Sequence, residues 1–177
     1  RSGFFMLSGS GVWALLPIMA RDHLGTGAAG YGLLLSSFGV GSVIGALFVP
    51  GLRRRFPIDV TVAVCLLLFS SCVVVVGAGR SVPVVASAML LGGLFWIVVA
   101  VNHNVSVQIA SPDWVRGRTI SFYLITFQGS LAVGSWLAGW VADRAGIGTA
   151  VSLSGILCAC GVFLIPFFPL TDGKTKS

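Results

Sequence analysis

The sequence predicts an all-α membrane protein of six transmembrane helices, and three observations carry that prediction. First, six long apolar runs, at about residues 3–20, 29–50, 60–79, 84–108, 119–142 and 147–168, contain no Asp, Glu, Lys or Arg. Each is close to the roughly 20 residues that cross about 30 Å of hydrocarbon at 1.5 Å per residue. Second, the charged residues, 9% of the chain, all fall in the short gaps between runs or at the two ends of the sequence. A charge at the bilayer centre costs roughly 2.5–3.5 kcal/mol, which explains that confinement. Third, hydrophobic residues make up 56% of the chain and mean hydropathy is +0.99. The polar face that a water-soluble helix repeats every 3.6 residues is missing. Runs of this length are not strands, so a soluble core of stacked sheets does not fit. Residues 1–177 therefore read as a single six-helix bundle without a soluble domain, linker or low-complexity segment.

Each run has its own punctuation. The first ends at the pair Arg21/Asp22, and the second opens after Gly25, Gly27 and Gly30 and is expected to break at Pro50. Pro57 precedes the third run, where Asp59 is an N-terminal helix charge that also offsets the neighbouring Arg53, Arg54 and Arg55. Pro83 precedes the fourth run and Pro112 the fifth, while Asp143/Arg144 separates the fifth from the sixth. Gaps of about 5–10 residues leave room for helical hairpins and little else. Arg1 in place of Met is expected of a fragment, or of a chain whose first residue is not the gene's first.

The net charge of +6 reports orientation here rather than a nucleic-acid partner. If Arg1 is cytoplasmic, then Arg53, Arg54, Arg55, Arg116, Arg118, Lys174 and Lys176 share its side, leaving Arg21, Arg80 and Arg144 outside. This positive-inside bias predicts a multi-pass protein of the cell (inner or plasma) membrane with both termini cytoplasmic. Asp22 and Asp143 dilute the outer basic residues further. Cys65, Cys72, Cys158 and Cys160 all lie inside apolar runs, and the Cys-x-Cys pair points its side chains about 200° apart on a helix. They read as packing residues, with no disulfide framework, metal site or cofactor expected.

A faint internal repeat is present. Val40-Gly41-Ser42 in the second run recurs as Val133-Gly134-Ser135 in the fifth, three runs later. Because three is odd, the second copy enters the membrane with opposite polarity, giving a 3+3 inverted repeat of the kind found in secondary transporters. Small residues also recur at four-residue spacing, as Ser37, Gly41 and Gly45, and as Ser130, Gly134, Ala138 and Ala142. Such stripes admit close helix approach in lipid. They fit packing within the six-helix unit, or a face presented to a second six-helix bundle.

Polar side chains within the runs are few. The densest set is Asn102, His103, Asn104 and Gln108 in the fourth run, where Asn104 and Gln108 share one helix face and Asn102 and Ser106 another. Tyr123, Thr126 and Gln128 in the fifth run lie at depths where they can meet them. With Trp13, Trp96 and Phe127 as apolar walls, these residues form a candidate substrate cavity; bonding to backbone within the helices is the plainer reading of each. His103 is the one imidazole within a run, and an ordinary pKa near 6.5 suits it to carry a proton. His23, beside Asp22, is read as solvated. Asp113 and Arg116 are expected to pair locally across one helical turn.

The segment from Ser111-Pro-Asp-Trp-Val-Arg-Gly-Arg118 to Gln128-Gly-Ser130, continued in Gly134-Ser-Trp-Leu-Ala-Gly-Trp-Val-Ala-Asp-Arg144, resembles the major facilitator superfamily. More narrowly it resembles the bacterial transmembrane secretion effector branch that includes enterobactin-exporter-like proteins. Val12-Trp-Ala-Leu-Leu-Pro17 and Ala29-Gly-Tyr-Gly-Leu-Leu-Leu35 resemble that branch's seventh and eighth helices. The resemblance implies the C-terminal half of a twelve-helix exporter, whose partner is the N-terminal six-helix half. It also implies alternating access, export of small amphipathic molecules such as drugs or siderophores, and proton coupling. Where the superfamily often carries Gly-x-x-x-Asp-Arg-x-Gly-Arg-Arg, this chain has Pro50-Gly-Leu-Arg-Arg-Arg-Phe56, so the arginines remain without the Asp. Arg53, Arg54, Arg55, Asp113, Arg116 and Arg118 are then candidates for a cytoplasmic gate.

Two other classes compete. An autonomous or homodimeric six-helix subunit or channel would use the small-residue stripes as dimer faces. An intramembrane protease of rhomboid type would need a Ser and a His in the bundle, and Ser10 with His103 is a poor match because Ser8 stands where the leading Gly should be. The expected protein is a transporter and not an enzyme.

Overall fold

The computed structural model describes residues 2–112 and 114–164. Its helices are α1 (Ser2–Ile18), α2 (Gly27–Arg55), α3 (Ile58–Ala78), α4 (Val82–Ala110), α5 (Arg116–Ala145) and α6 (Ile147–Cys160), and the described residues contain no strand. A π-helical turn, Met19–His23, extends α1, and a 3-10 turn, Gly161–Leu164, extends α6. Five of the helices are long and apolar enough to cross a membrane, and the sixth apolar stretch is Ile147–Phe163. The remainder of the sixth run, to residue 168, lies outside the described residues, as do Arg1, Asp113, Lys174 and Lys176.

The helices run further than the apolar runs that announced them. α2 has 29 residues, α4 29 and α5 30, or about 45 Å at 1.5 Å per residue against the roughly 30 Å of hydrocarbon. Their charged ends, Arg53–Arg55 on α2 and Arg116 and Arg118 on α5, are therefore helical rather than parts of loops. Arg is a good helix former, so the helix continues into the interface. The connections shrink to residues 24–26, 56–57, 79–81, 111–115 and Gly146, shorter than the gaps suggested.

Pro50 does not break α2 but sits inside it, and Pro17 lies in α1 just before the π-helical turn. Membrane helices tolerate proline because local π adjustment and neighbouring groups satisfy the freed carbonyl. Glycine sets two of the turns: Gly25 and Gly27 have φ of 62° and 59°, and Gly146 has φ of 88°. Gly146 alone reverses the chain between α5 and α6, in a conformation that L side chains rarely adopt.

Helix contacts follow a regular scheme. The main pairs are α2 with α4, α1 with α5, α3 with α6, α3 with α4, α1 with α6, and α5 with α6. Exchanging α1 with α4, α2 with α5 and α3 with α6 maps this scheme, with its weaker members, onto itself. That is the packing a 3+3 repeat requires. The Val-Gly-Ser match marks its two equivalent close approaches. A side chain at Gly41 would meet the Leu90 carbonyl of α4, and one at Gly134 would meet the Leu7 carbonyl of α1.

One residue stripe of α2, Gly30, Leu34, Phe38, Gly41, Gly45 and Val49, is buried, and of α5 only Gly134 and Ala138 are. The small-residue stripes thus pack inside the unit. The Ser42 hydroxyl ties α2 to α4 by donating to the Gly93 carbonyl at 3.2 Å. Ser8 and Ser70 place their hydroxyls against the Cys158 thiol where α1, α3 and α6 meet. All four cysteines are free thiols, with Cys65 and Cys158 buried.

Candidate functional site

α1 and α4 do not approach by their backbones, and large rings bridge the space between them. Trp13 of α1, Phe38 of α2 and Trp96 of α4 form a three-ring cluster. The centroid distances are 4.8 Å for Trp13–Phe38, 5.9 Å for Trp13–Trp96 and 5.7 Å for Phe38–Trp96. Edge-to-face and tilted geometries of this kind suit the ring quadrupoles. The Trp96 indole N–H is buried and has no hydrogen-bond partner among the described residues, so the cluster is apolar with one donor left open there. Seven residues along α4, which brings the helix back to nearly the same face, His103 meets the ring of Phe5 edge-on at 5.9 Å.

The polar set of α4 divides by burial. Asn102, His103 and Ser106 are buried, whereas Asn104 and Gln108 are exposed. Asn102 donates from Nδ2 to the Val98 carbonyl at 2.8 Å, while its Oδ1 and the Ser106 hydroxyl find no partner. On the other face, Gln108 Nε2 donates to Asn104 Oδ1 at 2.8 Å. The space beside His103, bounded by Phe5, Val62, Leu66 and Cys158, is about 10 Å³. That is room for a single water at most and not for a substrate.

On α5, the rings of Tyr123 and Phe127 lie 5.7 Å apart and partly covered, the Tyr123 hydroxyl is bonded to Ser2, and Gln128 is exposed. The structure therefore joins Trp13 to Trp96, Asn104 to Gln108 and Tyr123 to Phe127. It separates Asn102 and His103 from Asn104 and Gln108. Phe38, the third ring of the aromatic cluster, was missed by sequence reasoning. Its position four residues after Leu34 and three before Gly41 on the buried stripe was the signal that could have found it.

At the end of the bundle that carries Arg116 and Arg118, Arg53 is partly exposed and Arg54, Arg55 and both of those residues are exposed. At the other end, Arg21 and Asp22 form an ion pair at 3.8 Å. There the Arg144 guanidinium also lies 3.8 Å over the Trp140 ring. The gate candidate Asp113 and its pairing with Arg116 lie outside the described residues.

Ser10 and His103 do not make a catalytic pair. The Ser10 hydroxyl donates to the Leu7 carbonyl at 2.9 Å and faces Gly134 of α5. His103 packs on Phe5, five residues earlier on α1, roughly 140° round that helix. Among the described residues no three His, Cys, Asp or Glu side chains gather to hold a metal.

The family model described as transmembrane secretion effector matches residues 1–177. No curated protein matches the chain.

Proposed function

The chain belongs to the transmembrane secretion effector family, transporters of the major facilitator type, and from that premise we propose that it is one six-helix half of an alternating-access exporter. A transport role across a membrane comes with the family. The observation that carries the further step is the uneven cover of the helices. α2 and α5, equivalent under the repeat, are the least buried of the five long spans. Beyond their inner stripes they expose Val43, Leu47 and Phe48, and Phe122, Ile125 and Trp136. A second, N-terminal six-helix bundle resting on these two helices would enclose a midplane cavity between the halves, and rocking of the halves would open it to either side.

In that arrangement Trp13, Trp96, Asn104, Gln108, Tyr123, Phe127 and Gln128 are substrate contacts. The aromatic cluster with its open indole donor supports small, amphipathic, partly aromatic cargo, in the manner of drugs or siderophores. Arg53, Arg54, Arg55, Arg116 and Arg118, with Asp113, form the cytoplasmic gate. Asn102 and His103, enclosed in the bundle, serve the site from behind. His103 is this half's candidate to carry a proton, and its protonation would have to be accompanied by opening of its enclosure; the coupling carboxylate belongs in the N-terminal half.

The test is dye efflux from everted membrane vesicles carrying the full-length gene product, with ethidium as probe, between pH 6 and pH 8. Trp96→Ala is expected to raise the apparent KM about tenfold with little change in the maximum rate. His103→Ala is expected to flatten the pH profile. Efflux that is indifferent to Trp96→Ala would remove the ring cluster from the substrate path, and an unchanged pH profile would return His103 to packing. Reading the coding sequence upstream of Arg1 separates the exporter half from an autonomous or dimeric unit, since only the former has six further apolar spans there.

A further inference from the structure

Where α2 turns into α3, an apolar groove lies beside a cluster of cations. Its volume is about 380 Å³, its walls are Leu52, Phe56, Val60, Thr61, Val64 and Cys65, and the atoms it exposes are apolar. Phe56, Val60 and Val64 each expose half or more of their surface, so the groove opens outward. Val64 is six residues into α3, which begins at Ile58, so the groove reaches about 9 Å from the helix end toward the hydrocarbon. That is the length of several methylene groups.

Arg53, Arg54 and Arg55 form the last turn of α2, between the groove residues Leu52 and Phe56. At 3.6 residues per turn, Arg53 and Arg55 flank the Leu52–Phe56 face and Arg54 lies on the opposite side of the helix. None of the three forms an ion pair with a described residue. The one acid of the turn is Asp59, in the first turn of α3. No side chain caps the first N–H groups of α3, so they add partial positive charge at the same place. Three guanidinium groups against one carboxylate leave a cationic excess at the membrane boundary. Guanidinium forks match phosphate oxygens in pairs.

We propose that this is a binding site for an anionic phospholipid, with the phosphate held by Arg53 and Arg55 and one acyl chain lying in the groove along α3. The two halves of the site select the ligand together. Free phosphate fits the arginines and leaves the groove unused, and a zwitterionic lipid fits the groove but brings its own cation to the arginines. Basic pockets between helices at a membrane surface recognise anionic headgroups on these terms. This inference rests on the chain's place in a membrane and stands apart from any assignment of cargo; it gives Arg53 and Arg55 to the lipid and leaves the gate to Arg54, Arg116 and Arg118 with Asp113.

The experiment is native mass spectrometry of the full chain in detergent, loaded with equimolar phosphatidylglycerol and phosphatidylcholine. The expected result is retention of phosphatidylglycerol at least fivefold above phosphatidylcholine. R53Q/R54Q/R55Q should abolish that excess, while R53K/R54K/R55K, which keeps the charge, should preserve part of it. Val64→Trp, which fills the groove and leaves every cation in place, should also lower retention severalfold. Helical content by circular dichroism is followed for each variant, and Val64→Trp, at a lipid-facing position, keeps the test open should the arginine variants fail to fold.

Equal retention of the two lipids would overturn the proposal. So would a Val64→Trp variant that binds phosphatidylglycerol as before, since the headgroup alone would then account for binding. Retention untouched by R53Q/R54Q/R55Q would overturn it as well, since the arginines would then not hold the headgroup.

Discussion

Glycine at positions 41 and 134 shows how much a single hydrogen in place of a methyl can decide. Without hydrophobic drive between helices in lipid, association depends on close van der Waals contact, and at both sites a Cβ would collide with a carbonyl of the neighbouring helix. Gly134→Ala is therefore expected to cost about 1–3 kcal/mol, the usual range for overpacking, measured as thermal unfolding in detergent. Gly129→Ala on the same helix meets open space and should be neutral or stabilising by up to about 1 kcal/mol. Equal effects at the two positions would contradict the close approach at Gly134. Residue by residue, the candidate site was partly legible. Trp13 and Trp96 stood out as two of the five tryptophans, and the α4 amides as rare polar groups. Which of those amides face inward was not legible, because burial depends on where the neighbouring helices lie.

At the scale of elements, apolar length located every helix, placed the start of α6 at Ile147, and set the ends of α2, α4 and α5 short. Composition senses the hydrocarbon, and a helix stops where hydrogen bonding and backbone conformation stop it, which is beyond the hydrocarbon in α2, α4 and α5. The α5–α6 turn is the sharpest case, since Gly146 alone connects the two helices. Its φ of 88° would place a methyl in a strained conformation, so Gly146→Ala should destabilise the hairpin by about 1–2 kcal/mol. Hydrogen exchange at the ends of α5 and α6 would report it as faster opening there than in α3. Proline tells the opposite story, because Pro50 looks like a terminator in sequence and is helical in the bundle, as Pro17 is in α1. A membrane gives the chain no water with which to satisfy a broken helix, so the helix bends or widens rather than ends.

At the scale of the whole molecule, two features define the protein: the exchange symmetry of its helix contacts and the exposed faces of α2 and α5. The arginines divide between the two ends of the bundle, with Arg53–Arg55, Arg116 and Arg118 at one and Arg21, Arg80 and Arg144 at the other. Cysteine placed at Arg54 or Arg118, in an otherwise cysteine-free chain, should react with an impermeant maleimide only after the membrane is opened. Cysteine at Arg80 or Arg144 should react in intact cells. The reverse pattern would invert the topology and move the proposed lipid site to the other leaflet. A chain labelled equally from both sides would have mixed orientation, and the positive-inside argument would fail.

The sequence by itself determined that this is a helical membrane protein, where its six helices run, and that it has a weak threefold-span repeat. Those properties follow from the transfer cost of charges and from helix length, which act locally along the chain. Only the tertiary structure decided that Gly41 and Gly134 are contact points rather than an outward face, and that Phe38 completes a ring cluster with Trp13 and Trp96. It alone separated buried Asn102 and His103 from exposed Asn104 and Gln108, two polar pairs on the same helix. Every face of a membrane helix is apolar enough to meet lipid, so periodicity carries no signal of inside and outside, and the packing of neighbours supplies it.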